Sequence, residues 1–259
     1  MILSRFAIPI DIPLFYTYHN GIHNKNSTDY SKIRQIIDKI TYKKRHNTIF
    51  VSKAVQSDVL LGNKIIGNSK VLPNFTSSGF SYCYQPNSKN EIKLISVGNL
   101  RKQKNHEFSI KILSELTDYP VSLDIYGNGT LQKDLEKQIK TTNANVRIIS
   151  NCIIDAKTLT SYDAFLMSSS QEGMSIAVIE AMSIGLPCIL SNIDSFKETA
   201  GDSALYFNLS DVKEAKNHIL DLIINKQKLI ELSDNAKTLS EKYSMDNYLI
   251  ILLKYYLFK

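Results

Sequence analysis

Residues 168–190 read SSSQEGMSIAVIEAMSIGLPCIL. The apolar run just before them, Ala164 to Met167, has the length of a buried strand, and it opens into a polar loop in which Gly173 follows Glu172. A helix is expected to begin around Ser175 and to stop at Gly185, and Pro187 to Leu190 reads as the next strand. A strand, a loop, a helix and a strand in immediate succession make a βα unit of a parallel sheet. In such a unit the free N–H groups at Met174 to Ile176 would face the crevice above the carboxyl ends of the strands, where open α/β sheets bind phosphorylated ligands.

The same unit recurs on both sides. Ile92 to Val97, Val121 to Tyr126, Val146 to Ile149 and Ala204 to Phe207 are further strand candidates. Helical stripes lie between them: Leu131, Leu135 and Ile139 in TLQKDLEKQIK, and Val212, Ile219 and Ile223 in DVKEAKNHILDLIIN. This predicts one complete, doubly wound, Rossmann-like α/β domain over 89–240.

Residues 1–88 are expected to form part of a second Rossmann-like domain. Leu14 to Tyr18 and Thr48 to Val51 read as strands flanking a helix from Tyr30 to Arg45, whose apolar stripe is Ile33, Ile36, Ile37 and Ile40. A doubly wound domain usually has about five or six strands, and fewer are visible here. The boundary falls in NFTSSGFSYCYQPNSKNE, residues 74–91, rich in Ser, Asn, Gly and Pro. Residues 241–259 end in an apolar, aromatic helix expected to cross back onto the first segment.

The chain has 259 residues, 43% hydrophobic and 22% charged, with a formal charge of +6. Such composition excludes disorder as a description of the whole chain. No apolar run reaches the roughly 18–20 residues of a membrane helix, and the first fifteen residues lack a signal-peptide profile, so a cytoplasmic location is expected. Cys83, Cys152 and Cys188 are too scattered for a disulfide framework. The HxxxH spacing of His19 and His23 encloses Asn20 and Gly21 and reads as chance, so no metal site is expected. The charge is uneven: residues 1–90 hold 12 Lys and Arg against 4 Asp and Glu, while residues 91–259 hold 19 against 21.

Two groups of residues carry chemistry. Glu180 is the only charge on a helix that is apolar around nearly its whole circumference, and no Lys or Arg stands at i±3 or i±4. Glu172 lies eight residues earlier, roughly 12 Å along the axis if the helical rise is extrapolated. Two acceptors so spaced suit the hydroxyls of two sugar rings with phosphate between them at the helix N-terminus. Taken alone, Glu180 reads more often as solvent-exposed and Glu172 as favouring the helix dipole, and the combined pattern reverses that. The second group is SVGNLRKQKNH, 96–106, where Gly98 permits a turn and Arg101, Lys102 and Lys104 bring cations to the same crevice. Lys104 is assigned to phosphate and Lys102 to solvent.

With these stretches in place, the run from about residue 92 to 240 resembles the nucleotide-sugar-binding domain of the group 1 (family 4) retaining glycosyltransferases of GT-B fold. The resemblance rests on SVGNLRKQKN, on YGNG at 126–129, and above all on EGMSIAVIE followed by AMSIGLPCILSN, which is similar to the family's E-x7-E motif. FYTYHN, IFVSKAV and KVLPNF extend it into the first third. It implies that Lys104 binds the donor diphosphate and that Glu180 meets the ribose hydroxyls. It places Glu172, Gly173, Met174 and Ser175 on the donor sugar and phosphates, His19 across the interdomain cleft, and main chain around Ile153 on the base. His19, Glu172 and Lys104 are the implied catalytic residues. Gly98, Asn99, Arg101 and Gly127 complete the implied donor site. Where the family usually has Arg after the first-loop glycine this chain has Asn99, and Arg101 is the candidate to replace it. The opening strands and glycine-rich loop of the family's first domain are expected to be missing.

The implied reaction moves a hexose-type sugar from a UDP-sugar or GDP-sugar to a hydroxyl of a glycan or lipid-linked acceptor, with retention and without metal or other cofactor. Surface polysaccharide assembly, as in lipopolysaccharide or capsule, is the implied setting. A truncated, non-catalytic nucleotide-sugar-binding protein and a GT-B sugar-nucleotide 2-epimerase are the alternatives. The basic helix over residues 30–46 suits an anionic membrane surface or simply a solvated back, and no nucleic-acid motif accompanies it.

Overall fold

Leu14–Tyr18 (β1) and His46–Phe50 (β2) pair in parallel, and β2 runs on through Lys53–Leu60 (α1) to Ser69–Val71 (β3), its other parallel neighbour. The computed structural model describes residues 12, 14–21, 36, 40, 46–61, 68–76, 84, 85 and 91–257. His23 and most of the helix expected over residues 30–45 lie outside the described residues; Ile36 and Ile40 are helical, and 58% and 75% exposed.

The second sheet is built from Ile92–Val97 (β4), Val121–Tyr126 (β5), Val146–Ile149 (β6), Ala164–Met167 (β7), Cys188–Ser191 (β8) and Ala204–Phe207 (β9). All its pairings are parallel, and the order is β6-β5-β4-β7-β8-β9. Helices His106–Ser114 (α2), Gln132–Thr142 (α3), Ala156–Leu159 (α4), Ile176–Ser183 (α5), Asp194–Ala200 (α6) and Val212–Ile224 (α7) alternate with these strands, and Lys226–Ser240 (α8) and Met245–Leu257 (α9) follow. The expected strand at Pro187 to Leu190 lies one residue later, because proline has no N–H for the ladder; its carbonyl still accepts from Phe165 N. The first segment's second strand likewise ends at Phe50, since Ser52 already caps α1.

Alternation along the strands separates two cores. Leu94, Leu166 and Ile189 face one layer with Ile110, Leu135 and Ile219. Ile95, Phe165, Met167 and Leu190 face the other, with Val178, Met182 and Phe196. Strands buried on both faces read as continuous apolar runs, which is how they stood out in the sequence.

Helix α5 owes its all-round apolarity to a third surface. Val178, Ala181 and Met182 pack on the sheet, whereas Ile179, with Met174 before it, packs on Tyr18, Phe50, Val51, Val55 and Val59 of the first segment. Other contacts join the two parts. Glu198 of α6 accepts hydrogen bonds from the N–H groups of Lys53 and Ala54 at 2.7 and 3.0 Å, neutralising the first turn of α1. From α9, Tyr256 stacks on Phe15 at 4.0 Å, and the Tyr255 hydroxyl donates to Asn68 O at 3.1 Å.

Phe165 is fully buried at the centre of the second layer. Truncation there leaves a cavity that the sheet cannot close, so Phe165→Ala is expected to lower unfolding free energy by about 3–5 kcal/mol, read from urea denaturation followed by circular dichroism.

Candidate functional site

From β4 the chain winds one way to β5 and β6, and from β7 the other way to β8 and β9. The loops leaving β4 and β7 therefore part, and a crevice opens between their roots. Its floor is tied at several points. Ser170 N donates to Gln103 O at 2.8 Å, and the Ser168 hydroxyl bonds Asn105 O and the Ser109 hydroxyl, each at 2.7 Å.

Above this floor Lys104 Nζ donates to Glu172 Oε1 at 2.6 Å, and the Ser169 hydroxyl donates to the same oxygen at 2.7 Å. Both side chains are largely buried. Next to Lys104, His106 is pushed down to about 4, by burial first and by the lysine second, so its imidazole is neutral at pH 7 and Lys104 supplies the charge.

The backbone after Glu172 is the other half of the site. Ser175 is the extended N-cap of α5, and its side chain makes no capping bond. The N–H groups of Met174 and Ser175 have no hydrogen-bond partner among the described residues. Unpaired donors before a helix, beside a lysine, form an anion-binding surface. Close approach requires glycine here: a Cβ on Gly173 would lie 1.7 Å from His19 O, and one on Gly127 1.9 Å from Gly98 O. Helix α5 closes at Gly185, whose φ of +79° only glycine adopts readily.

These groups line a cavity of about 480 Å³ that holds His19, Gly98, Asn99, Lys104, Gly127, Glu172, Gly173, Met174 and Ser175 together. A larger space of about 680 Å³ lies beyond Glu172, against Asp58, Asp194 and Glu198. Its lining sets four carboxylates, Asp58, Glu172, Asp194 and Glu198, against one lysine, Lys53, so the smaller cavity is the one suited to phosphate.

Three expected residues stand elsewhere. Ile153 is 95% exposed, and its neighbours Cys152 and Ile154 line the cavity instead. The short β6–α4 loop turns at Asn151, with φ of +58°, and presents alternate side chains to the pocket. Arg101 caps the 3-10 turn Lys102–Lys104 and opens, with Lys102, onto a separate space of about 290 Å³ near Leu131 and Leu135. That turn carries Lys104 inward and leaves Arg101 outside. Glu180 is half-buried one turn below Ala177, the last residue of α5 in the lining.

Asn20, Asn74, Tyr126 and Asn128 also line the cavity without having been singled out. Tyr126 is held by the Tyr162 hydroxyl at 3.0 Å, which donates to Asp124 at 2.7 Å, and Asp124 is paired bidentately with Arg147. Asn74 stands in the quoted KVLPNF, but nothing in a sequence shows that this asparagine meets a loop a hundred residues later.

The family model of the group 1 glycosyl transferases matches residues 85–239. The chain belongs to that family. The group 1 match covers the whole six-stranded sheet and its helices, the E-x7-E segment included. Among curated relatives, the Escherichia coli O-antigen biosynthesis glycosyltransferase WclY is 28% identical over 150 residues, which are 57% of this chain and 39% of that one. The Escherichia coli UDP-Gal:alpha-D-GlcNAc-diphosphoundecaprenol alpha-1,3-galactosyltransferase is 32% identical over 156 residues, 57% of this chain and 38% of that one. The chain spans less than half the length of the curated relatives it matches. Among solved structures, Anabaena Alr3699/HepE in complex with UDP superposes with a TM-score of 0.83 at 17% identity over 98% of this chain and 74% of that one. TarM gives 0.78 at 20% identity over 95% and 50%. The fold is GT-B.

Burial raises the Glu180 pKa above its ordinary 4.5. The folded chain therefore holds this proton more tightly than the unfolded chain, and the group's contribution to stability is full below the unfolded value and is lost as pH rises through the folded one. Glu180→Gln is expected to raise Tm at pH 7, with the gain shrinking to nothing below about pH 4; melting curves across that range check it.

Proposed function

We propose that this chain binds a nucleoside-diphosphate sugar and transfers a hexose-type sugar to a hydroxyl acceptor with retention, in surface-polysaccharide or glycolipid assembly. One observation carries the reading: Lys104 and the unpaired N–H groups of Met174 and Ser175 converge beside Glu172 in one cavity. That is a site for a diphosphate next to an acceptor of sugar hydroxyls. The names of the relatives support the setting, and the UDP in the HepE structure makes uridine diphosphate the first nucleotide to try.

In this reading the diphosphate lies across the N-terminus of α5 with Lys104 on its outer oxygens. As the glycosidic bond breaks, negative charge grows on the departing phosphate, and Lys104 and the two N–H groups stabilise it where it forms. The departing phosphate oxygen takes the acceptor's proton on the same face, which preserves the anomeric configuration. Glu172, with Lys104 and Ser169 on one oxygen, keeps the other for a sugar hydroxyl. Glu180, one turn down α5 from the cavity lining, is assigned to ribose hydroxyls that reach past Ala177: it is half-buried, and nothing among the described residues pairs with its carboxylate. An acceptor held by a lipid would suit the exposed Ile36 and Ile40 of the basic first segment.

A second reading is a chain that binds nucleotide sugar without turnover. Donor hydrolysis or transfer by the purified chain separates the two. Thermal shift against UDP, GDP, ADP and their sugars is expected to show stabilisation by one base series. Lys104→Ala and Glu180→Ala are each expected to weaken that binding by more than about 1 kcal/mol, and unchanged affinity in both would remove the site assignment.

A further inference from the structure

The two N–H groups proposed to meet the diphosphate are held in place from the other half of the molecule. Gly173 O accepts the Ser52 hydroxyl at 2.7 Å, and Met174 O accepts the Asn74 side-chain amide at 3.1 Å. In a planar trans peptide the carbonyl of one residue and the N–H of the next point in opposite directions. Fixing the Gly173 carbonyl therefore fixes the Met174 N–H, and fixing the Met174 carbonyl fixes the Ser175 N–H. Both carbonyls are drawn toward the first segment, so both N–H groups are turned away from it, and neither has a partner among the described residues.

Both braces are themselves held. Ser52 is fully buried and caps α1, accepting from Val55 N at 3.1 Å while it donates to Gly173. Asn74 is fixed by its own N–H, which donates to Met174 Sδ at 3.1 Å. His19 O presses on Gly173 where any side chain would stand. Thus three strand-end segments of the small sheet grip two successive peptide units of the donor loop.

We propose that Ser52 and Asn74 are positioning residues that aim the Met174 and Ser175 N–H groups at the donor phosphates, so that phosphate recognition by the large domain requires the first segment in contact with it. This rests on the donor-site reading above. Their loss should weaken recognition of phosphate and leave recognition of the base, which the Cys152 to Ile154 loop supplies, unaltered.

The test is isothermal titration of UDP and of uridine, or of GDP and guanosine if the wild-type chain prefers that base, into wild type, Ser52→Ala, Asn74→Ala and Ser52→Thr. Each alanine variant is expected to bind the diphosphate about tenfold more weakly with the nucleoside changed less than about twofold, and Ser52→Thr, which keeps the hydroxyl, to recover most of the loss. Equal weakening of nucleotide and nucleoside would show a merely structural contact and overturn the proposal, as would no change in either. If Ser52→Ala fails to fold, Asn74→Ala decides alone. A wild-type chain that binds no nucleoside diphosphate overturns the donor-site reading itself, a result distinct from an unchanged ratio.

Discussion

The site depends on the reversal of strand order between β4 and β7. A parallel sheet wound in one direction covers each strand end with the next crossover, but at the reversal two crossovers leave in opposite directions and nothing covers the gap. Lys104 and Glu172 are 68 residues apart and meet there at 2.6 Å. Their loops are not free to drift, because serine hydroxyls and backbone amides stitch one root to the other. Charge placed in so fixed a setting needs little reorganisation when a charged ligand enters, which is the condition for strong electrostatic stabilisation.

The sequence made legible what depends on local pattern and on burial. Strands such as Leu94 to Ile95 or Phe165 to Leu166 are apolar on both sides because each side has its own core, and Gly185 marks a helix end because its backbone needs positive φ. Positions set by a single turn were not legible. Ile153 and Ile154 are chemically alike, yet Ile154 lines the cavity and Ile153 is 95% exposed, in a loop that turns at the positive φ of Asn151. Arg101 and Lys104 are both cations in one loop, and the 3-10 turn between them sends one in and one out. Glu198 and Asn74 act on chain segments 100 residues or more away, a relation that no window of sequence contains.

The all-apolar helix α5 shows how an ambiguous pattern gains meaning. A helix apolar all round is expected inside a large core, yet α5 lies beside the crevice. Its second apolar side is covered by Tyr18, Phe50 and Val55, so the pattern records contact between domains. The single carboxylate on that helix is itself half-buried, and burial raises its pKa.

The carboxylate of Glu198 at the start of α1 has a further consequence for folding. Helix α1 has eight residues, and a helix so short is not stable in water on its own, since the nucleus costs more than the few bonds that follow return. The N–H groups of its first two residues, Lys53 and Ala54, find their acceptor on α6, across the boundary between the parts. The helix that carries the Ser52 cap therefore forms together with the docking of the two parts, and this makes them one cooperative unit despite their two separate sheets.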